Sequence, residues 1–219
     1  MSLHMTSDLT ATPSILRLII ADDHAIFRDG LAMLLAGYSD VELIAALDNL
    51  TELRERVKQL QPDLLILDYH MPGGDTSAEI SYLKQRYPML KIIALTGSHS
   101  GLLLQQLQTA GADAVLLKDG SAGILRHAID EIKAGRRFMA PEVLEKVADN
   151  QLELTPREFQ ILKLIYDGFS NNEIAHQLNL SPKTTDKHRE NMMRKLQVNN
   201  ATQLLKKVIE LGLLKSGSS

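Results

Sequence analysis

Leu64-Leu65-Ile66-Leu67-Asp68, four uninterrupted aliphatic residues closed by a carboxylate, is the stretch that decides how this chain folds. An apolar run without alternation reads as a strand buried on both faces, the kind found in parallel sheets covered by helices. Three more runs repeat the design: Ile19-Ile20-Ala21 ends in Asp22-Asp23, Ile92-Ile93-Ala94-Leu95 in Thr96, and Val115-Leu116-Leu117 in Lys118. Ligands of open α/β sheets bind outside the carboxyl ends of the strands. Three carboxylates, one hydroxyl and one ammonium are therefore expected on one rim.

Outward from these runs, strands are expected near 15–21, 41–46, 63–68, 91–96 and 113–118. Apolar residues at helical spacing fill 25–36, 50–59, 77–86 and 102–110, and a fifth helix over about 123–134 ends at Gly135. Right-handed crossovers then put helices on both faces of a five-stranded sheet. Residues 136–152, with Arg136-Arg137, Pro141 and Asp149-Asn150-Gln151, break the rhythm and read as a linker, partly helical over 142–148. After it the strand pattern never returns. Thr155-Pro156-Arg157-Glu158 and Ser170-Asn171-Asn172-Glu173 are capping boxes, and Ser181-Pro182 repeats the cap and first-turn proline. Helices are expected to begin near 156, 171 and 182, with a fourth near 201–211 closed by Gly212. The architecture is thus α/β plus all-α, divided as 14–136, a linker 137–151, and 152–214.

The 219 residues include no cysteine, which excludes disulfides and thiolate zinc sites, and no apolar run approaches a membrane span. A cytoplasmic protein without a membrane partner is the expectation, with Met1-Ser2-Leu3-His4-Met5 set aside as an expression leader. Charge divides by half. Residues 13–136 hold 12 Lys and Arg against 16 Asp and Glu, a net of −4, whereas residues 153–215 hold 10 against 7, a net of +3. The difference suits a regulatory module joined to one that binds a polyanion.

Crowded carboxylates need compensation, because two like charges about 4 Å apart repel by about 4 kcal/mol at an effective dielectric near 20. Mg²⁺ is the usual answer, since it takes one or two carboxylates together with waters and phosphate oxygens. Asp68 could then attack phosphorus, Lys118 balance the transferred charge and Thr96 donate to a phosphoryl oxygen. His24 and His70 lie near the acids and are read as solvated loop side chains, the acid cluster requiring no softer ligand.

Asp22-Asp23-His24, Asp68-Tyr69-His70-Met71-Pro72, Leu95-Thr96-Gly97 and the run Gly111 to Lys118 together resemble the receiver domain of two-component response regulators. The resemblance implies a flavodoxin-like sheet of order 2-1-3-4-5. It also implies that Asp68 is the phosphoacceptor, that Asp23, Asp68 and the His70 main-chain carbonyl bind Mg²⁺, and that Asp22 acts through a metal-bound water. The chain departs from the pattern at Val115, where many receivers carry an aromatic switch residue, at Thr76 in place of a Gly and at Asp119 in place of a Pro. Leu102 and Leu103 add apolar surface at the start of the fourth helix, a possible patch for self-association.

In the second half, the turn Leu178-Asn179-Leu180-Ser181 joins two short capped helices as in a helix-turn-helix. Thr185, His188, Met192 and Leu196 share one face of the second, leaving Lys183, Asp186, Lys187, Glu190 and Arg194 opposite. Leu154-Thr155-Pro156-Arg157-Glu158, Asn172-Glu173-Ile174-Ala175, Leu180 to Thr185, His188 and Lys195-Leu196-Gln197-Val198 resemble the LuxR-type DNA-binding domain. With the receiver, this is similar to the NarL/FixJ family. The resemblance implies DNA contacts from Lys183, Thr184, Asp186, Lys187, His188, Glu190 and Arg194, and a dimer contact through Leu204, Val208 and Leu211. The implied partners are a sensor histidine kinase, promoter DNA, RNA polymerase and a second copy of the chain. Phosphorylation is expected to free the recognition helix from the receiver. Two other readings stay open: a DNA-binding regulator switched by a ligand or partner without phosphorylation, and a Mg²⁺-dependent aspartyl-phosphate phosphatase, although His70 stands where such enzymes carry a second Asp.

Overall fold

Five βα units and a short sixth strand form the first domain of the computed structural model, which describes residues 15–211 and 213. The leader, Gly212 and residues 14 and 214 lie outside the described residues. β1 (Leu16–Ala21), β2 (Val41–Leu47), β3 (Leu64–Asp68), β4 (Lys91–Thr96) and β5 (Ala114–Leu117) alternate with α1 (Ala25–Ala36), α2 (Leu53–Leu60), α3 (Thr76–Arg86), α4 (Gly101–Ala110) and α5 (Ala122–Lys133). All strands pair in parallel in the order β2-β1-β3-β4-β5-β6, so the expected order holds for the first five. Every residue of β3 is buried, as its unbroken aliphatic run requires.

The sheet has six strands, not five, because β6 (Phe138–Met139) pairs with Ala114 and Val115. Without it β5 would present a row of unpaired backbone groups. The Phe138 amide donates to the Asp113 carbonyl at 2.9 Å and the Ala140 amide to the Val115 carbonyl at 3.3 Å. The stretch 137–151 is accordingly a built part of the first domain's edge, continuing into α6 (Pro141–Ala148). That helix packs on α4, with Val143, Leu102 and Leu103 all buried, so the apolar patch expected at Leu102 and Leu103 is not on the surface. The close approach depends on Gly101, where an added Cβ would lie 2.1 Å from the Lys146 carbonyl oxygen.

The second domain contains α7 (Pro156–Tyr166), α8 (Asn171–Gln177), α9 (Pro182–Lys195) and α10 (Ala201–Glu210). Both capping boxes form: Thr155 with Glu158, and Ser170 with Glu173. Ser181 caps α9 by accepting from the Thr184 amide at 3.0 Å. Asn179 takes the left-handed conformation (φ 52°) in the turn between α8 and α9, which Asn tolerates better than most residues. Lys195 at the end of α9 reaches back to buried Glu158, Nζ to Oε2 2.7 Å, and locks the two helices that frame the motif. The domains touch: Gln106 Nε2 donates to the Leu154 carbonyl at 2.7 Å, Lys163 Nζ to the Gly74 carbonyl at 3.0 Å, and α7 packs on α4. Among the described residues no helix is long and apolar enough to cross a membrane.

Candidate functional site

Where β1, β3, β4 and β5 end, their closing residues meet beside a cleft of about 590 Å³ lined by His24, Asp68, His70, Gly97, Ser98, His99, Ser100, Lys118, Glu210 and Leu211. Parallel register does this, since Asp68 pairs with Leu95 and Thr96 with Leu117, and the chain turns away immediately after each strand. Lys118 Nζ lies 2.7 Å from Asp22 Oδ2 and 3.0 Å from Asp68 Oδ2. The carboxylates of Asp22 and Asp68 are almost fully buried. Burial pushes the Asp68 carboxyl above its ordinary value, against the pull of the Lys118 ammonium, and the neighbouring Asp22 adds to the rise.

Asp22, Asp23 and Asp68 each offer an oxygen within 4.8 Å of the others and of a nitrogen of His24. Asp68 Oδ2 is met by the Lys118 ammonium at 3.0 Å, and no side chain donates to its Oδ1. Buried hard oxygen donors left in this condition suit a hard divalent cation such as Mg²⁺. Thr96 is buried beside them, but its hydroxyl accepts from the Ser98 amide at 3.0 Å and it does not line the cleft. Val115 is fully buried, and its backbone is paired on both sides, with Ala94 of β4 and with Met139 of β6.

On α9, Lys183, Thr184, Asp186, Lys187, Glu190 and Arg194 are all exposed, whereas His188 is half-buried with the core face of Thr185, Met192 and Leu196. Thr184 also shares a 2.7 Å hydrogen bond with the Ser181 hydroxyl, tying it to the helix start. The outward face of α9 is thus open while the domains are docked. The first domain packs its α4 on α7 and shares its cleft with the end of α10. Leu204 and Val208 are buried and Leu211 is half-buried, whereas the exposed apolar residues of that helix are Leu205 and Ile209.

Residues 18–130 match the response regulator receiver domain family, and residues 152–208 match the luxR family of bacterial regulatory proteins. The chain belongs to the NarL/FixJ-type response regulators. It is therefore a phosphorylation-controlled, DNA-binding transcription regulator by family. The response regulator protein VraR of Staphylococcus aureus is 30% identical over 195 residues, spanning 86% of this chain and 93% of VraR. RcsB of Salmonella enterica serovar Typhimurium, bound to the promoter P1flhDC with the phosphomimetic BeF3-, superposes with a TM-score of 0.77 at 30% identity over 92% of this chain and all of that one. RcsB on the rprA promoter, also with BeF3-, gives 0.76 at 31% identity over 89% and 98% of the two chains.

Sequence reasoning did not place His99, Glu210 or Leu211 at this response regulator's cleft. His99 follows Thr96 on the loop into α4, and Glu210 and Leu211 arrive from the far end of the chain through domain docking, which no local pattern announces. His24, expected as a solvated loop side chain, keeps about half of its side chain exposed, and its Nδ1 lies 2.8 Å from Asp23 Oδ1.

Proposed function

We propose that Asp68 accepts a phosphoryl group from the phosphohistidine of a sensor kinase and that the second domain, acting as a dimer, binds promoter DNA through α9. The observation that carries this is the convergence of Asp22, Asp23, Asp68 and Lys118 at one rim. An oxygen of Asp68 forms the new bond to phosphorus while the P–N bond breaks and the kinase imidazole leaves with its electron pair. Asp22, Asp23, Asp68 and the His70 main-chain carbonyl are the groups that would hold Mg²⁺. Bound there, the ion supplies the positive charge that lets carboxylates and phosphoryl oxygens share one pocket. Lys118, now shared between Asp22 and Asp68, is placed to move its charge onto the phosphoryl oxygens. Thr96 Oγ1 accepts from the Ser98 amide, and the same hydroxyl carries a proton with which to donate to one of them. The family consists of DNA-binding regulators that are generally not enzymes.

Incubation with acetyl phosphate and Mg²⁺, followed by intact-mass and peptide analysis, tests the assignment. One added phosphoryl group on the Asp68 peptide is expected, absent with a chelator and absent in Asp68→Asn. A folded protein that gains no phosphoryl group overturns it. The open face of α9 favours a second reading, DNA binding that does not wait for phosphorylation. Equal DNA affinity with and without acetyl phosphate would establish that reading.

A further inference from the structure

Thr96 anchors a run of hydrogen bonds that leaves the cleft and ends on the helix carrying the DNA face. Its hydroxyl accepts from the Ser98 amide at 3.0 Å, and the Ser98 hydroxyl accepts from the Ser100 amide at 3.3 Å. Ser100 is the N-cap of α4, its carbonyl taking the Leu104 amide at 2.9 Å. Further along the same helix, Gln105 Oε1 accepts from Asn150 Nδ2 at 2.8 Å and Gln106 Nε2 donates to the Leu154 carbonyl at 2.7 Å. Gln106 and Leu154 are both buried, so water competes little for either group. Leu154 precedes Thr155, the cap of α7, whose amide donates to Glu158 Oε2 at 2.8 Å. The same oxygen holds Lys195 of α9 at 2.7 Å.

We infer that Gln106 is a positioning residue that couples phosphorylation of Asp68 to the aim of α9 while the two domains stay docked. This rests on reading Asp68 as the phosphoacceptor and Thr96 as a donor to its phosphoryl group. Thr96 does not line the cleft, so reaching a phosphoryl oxygen draws its hydroxyl toward Asp68, and the Ser98 amide bonded to it follows. Helix shifts in such transitions are about 1–2 Å. A 2.7 Å bond stretched by that much is lost and leaves a buried amide and a buried carbonyl unpaired, whereas an α7 that moves with α4 keeps both satisfied. Joint motion is favoured further because α6 is fastened to the same helix at Gly101 and through Asn150. Release of the second domain is not needed to uncover α9, whose outward face is already open. Lys195 ties α9 to α7, so a shift at Leu154 re-aims the DNA face. A dimer that must set two such helices into successive grooves is sensitive to that aim.

Gln106→Met tests the coupling, since it keeps the side chain's length and helix preference and removes only the polar amide. DNA affinity of the full chain is measured by fluorescence anisotropy before and after acetyl phosphate with Mg²⁺, and intact mass gives the fraction labelled. Wild-type affinity is expected to rise by about fivefold or more on labelling, the lower end of ordinary allosteric coupling. In Gln106→Met, Asp68 should label as in the wild type while the rise disappears and affinity stays at the unlabelled wild-type value. Asn150→Ala cuts the neighbouring tie from outside α4 and should diminish the rise as well; it carries the test if Gln106→Met fails to fold by circular dichroism. An undiminished rise overturns the inference. So does a variant that binds DNA, unlabelled, as tightly as the labelled wild type, because the contact is then a latch whose release activates. A wild type that labels without any rise overturns the coupling and leaves the phosphoacceptor reading standing. If Asp68 never labels, that reading falls and the coupling falls with it.

Discussion

Asp40, in the loop entering β2, shows how one carboxylate can anchor an edge of the sheet. Arg126 of α5 grips it with two hydrogen bonds, Nη1 to Oδ1 at 2.7 Å and Nη2 to Oδ2 at 2.9 Å, and Lys133 reaches the same group. The Arg126 guanidinium, and after it Lys133, holds the Asp40 carboxyl well below the usual carboxylate range. A depressed native value means that the unfolded chain binds the proton more readily, so stability rises with pH across the interval between the two values. The contribution is complete above the unfolded value of about 4 and is lost as pH falls from there toward the native one. Asp40→Asn should therefore cost roughly 1.5–3 kcal/mol near neutral pH, the range for hydrogen bonds to charged groups. Urea unfolding of both proteins at a series of pH values checks this, with the gap closing as the medium becomes more acidic than about pH 4. A gap that stays constant with pH would assign the loss to packing.

Among the elements, α6 turns the expected linker into part of the first domain, and Gly101 is where it comes closest to α4. In an open helix a Gly→Ala change gains up to about 1 kcal/mol. Here the added methyl carbon would sit 2.1 Å from the Lys146 carbonyl oxygen, and overpacking of that kind costs about 1–3 kcal/mol, so the clash wins. Gly101→Ala is expected to lift α6 and speed tryptic cleavage after Lys146 several-fold, measured by limited proteolysis with far-ultraviolet circular dichroism as the control for the fold. How much the residues revealed follows the same division. Strands such as Leu64–Asp68 are legible because burial on both faces leaves an unbroken aliphatic run, and the capping boxes are legible because their partners lie three residues apart. Two-residue β6 is too short to carry a period, and the apolar run at Leu102 and Leu103 announces burial without naming the helix that provides it. The acid site is legible because charge at a buried strand end has few other purposes. The approach of His24 to the acids involves two carboxylates of its own loop and one from β3, and no spacing rule encodes the long-range one.

At the scale of the whole molecule, the two domains differ in charge and meet without covering α9. The first domain carries −4 over residues 13–136 and repels DNA at long range, so affinity must come from the exposed cations of α9, screened by salt. Lys183, Lys187 and Arg194 face outward, and a dimer presents each of them twice. Six phosphate contacts release enough counterions for the logarithm of the binding constant to fall with the logarithm of salt with a slope of about −5. Lys187→Ala removes one contact from each protomer and should shrink the slope by about 2, weakening all DNA sequences alike. Glu190→Gln should behave differently. Replacing an acceptor-only carboxylate, which suits the cytosine amino group, by an amide that also donates alters preference among sequences, and losing a negative charge near phosphate raises affinity for unrelated DNA. Fluorescence anisotropy across a salt series, on one promoter fragment and one scrambled duplex, separates the two effects. An unchanged slope for Lys187→Ala would place that side chain off the phosphate path and move the DNA face away from the exposed side of α9.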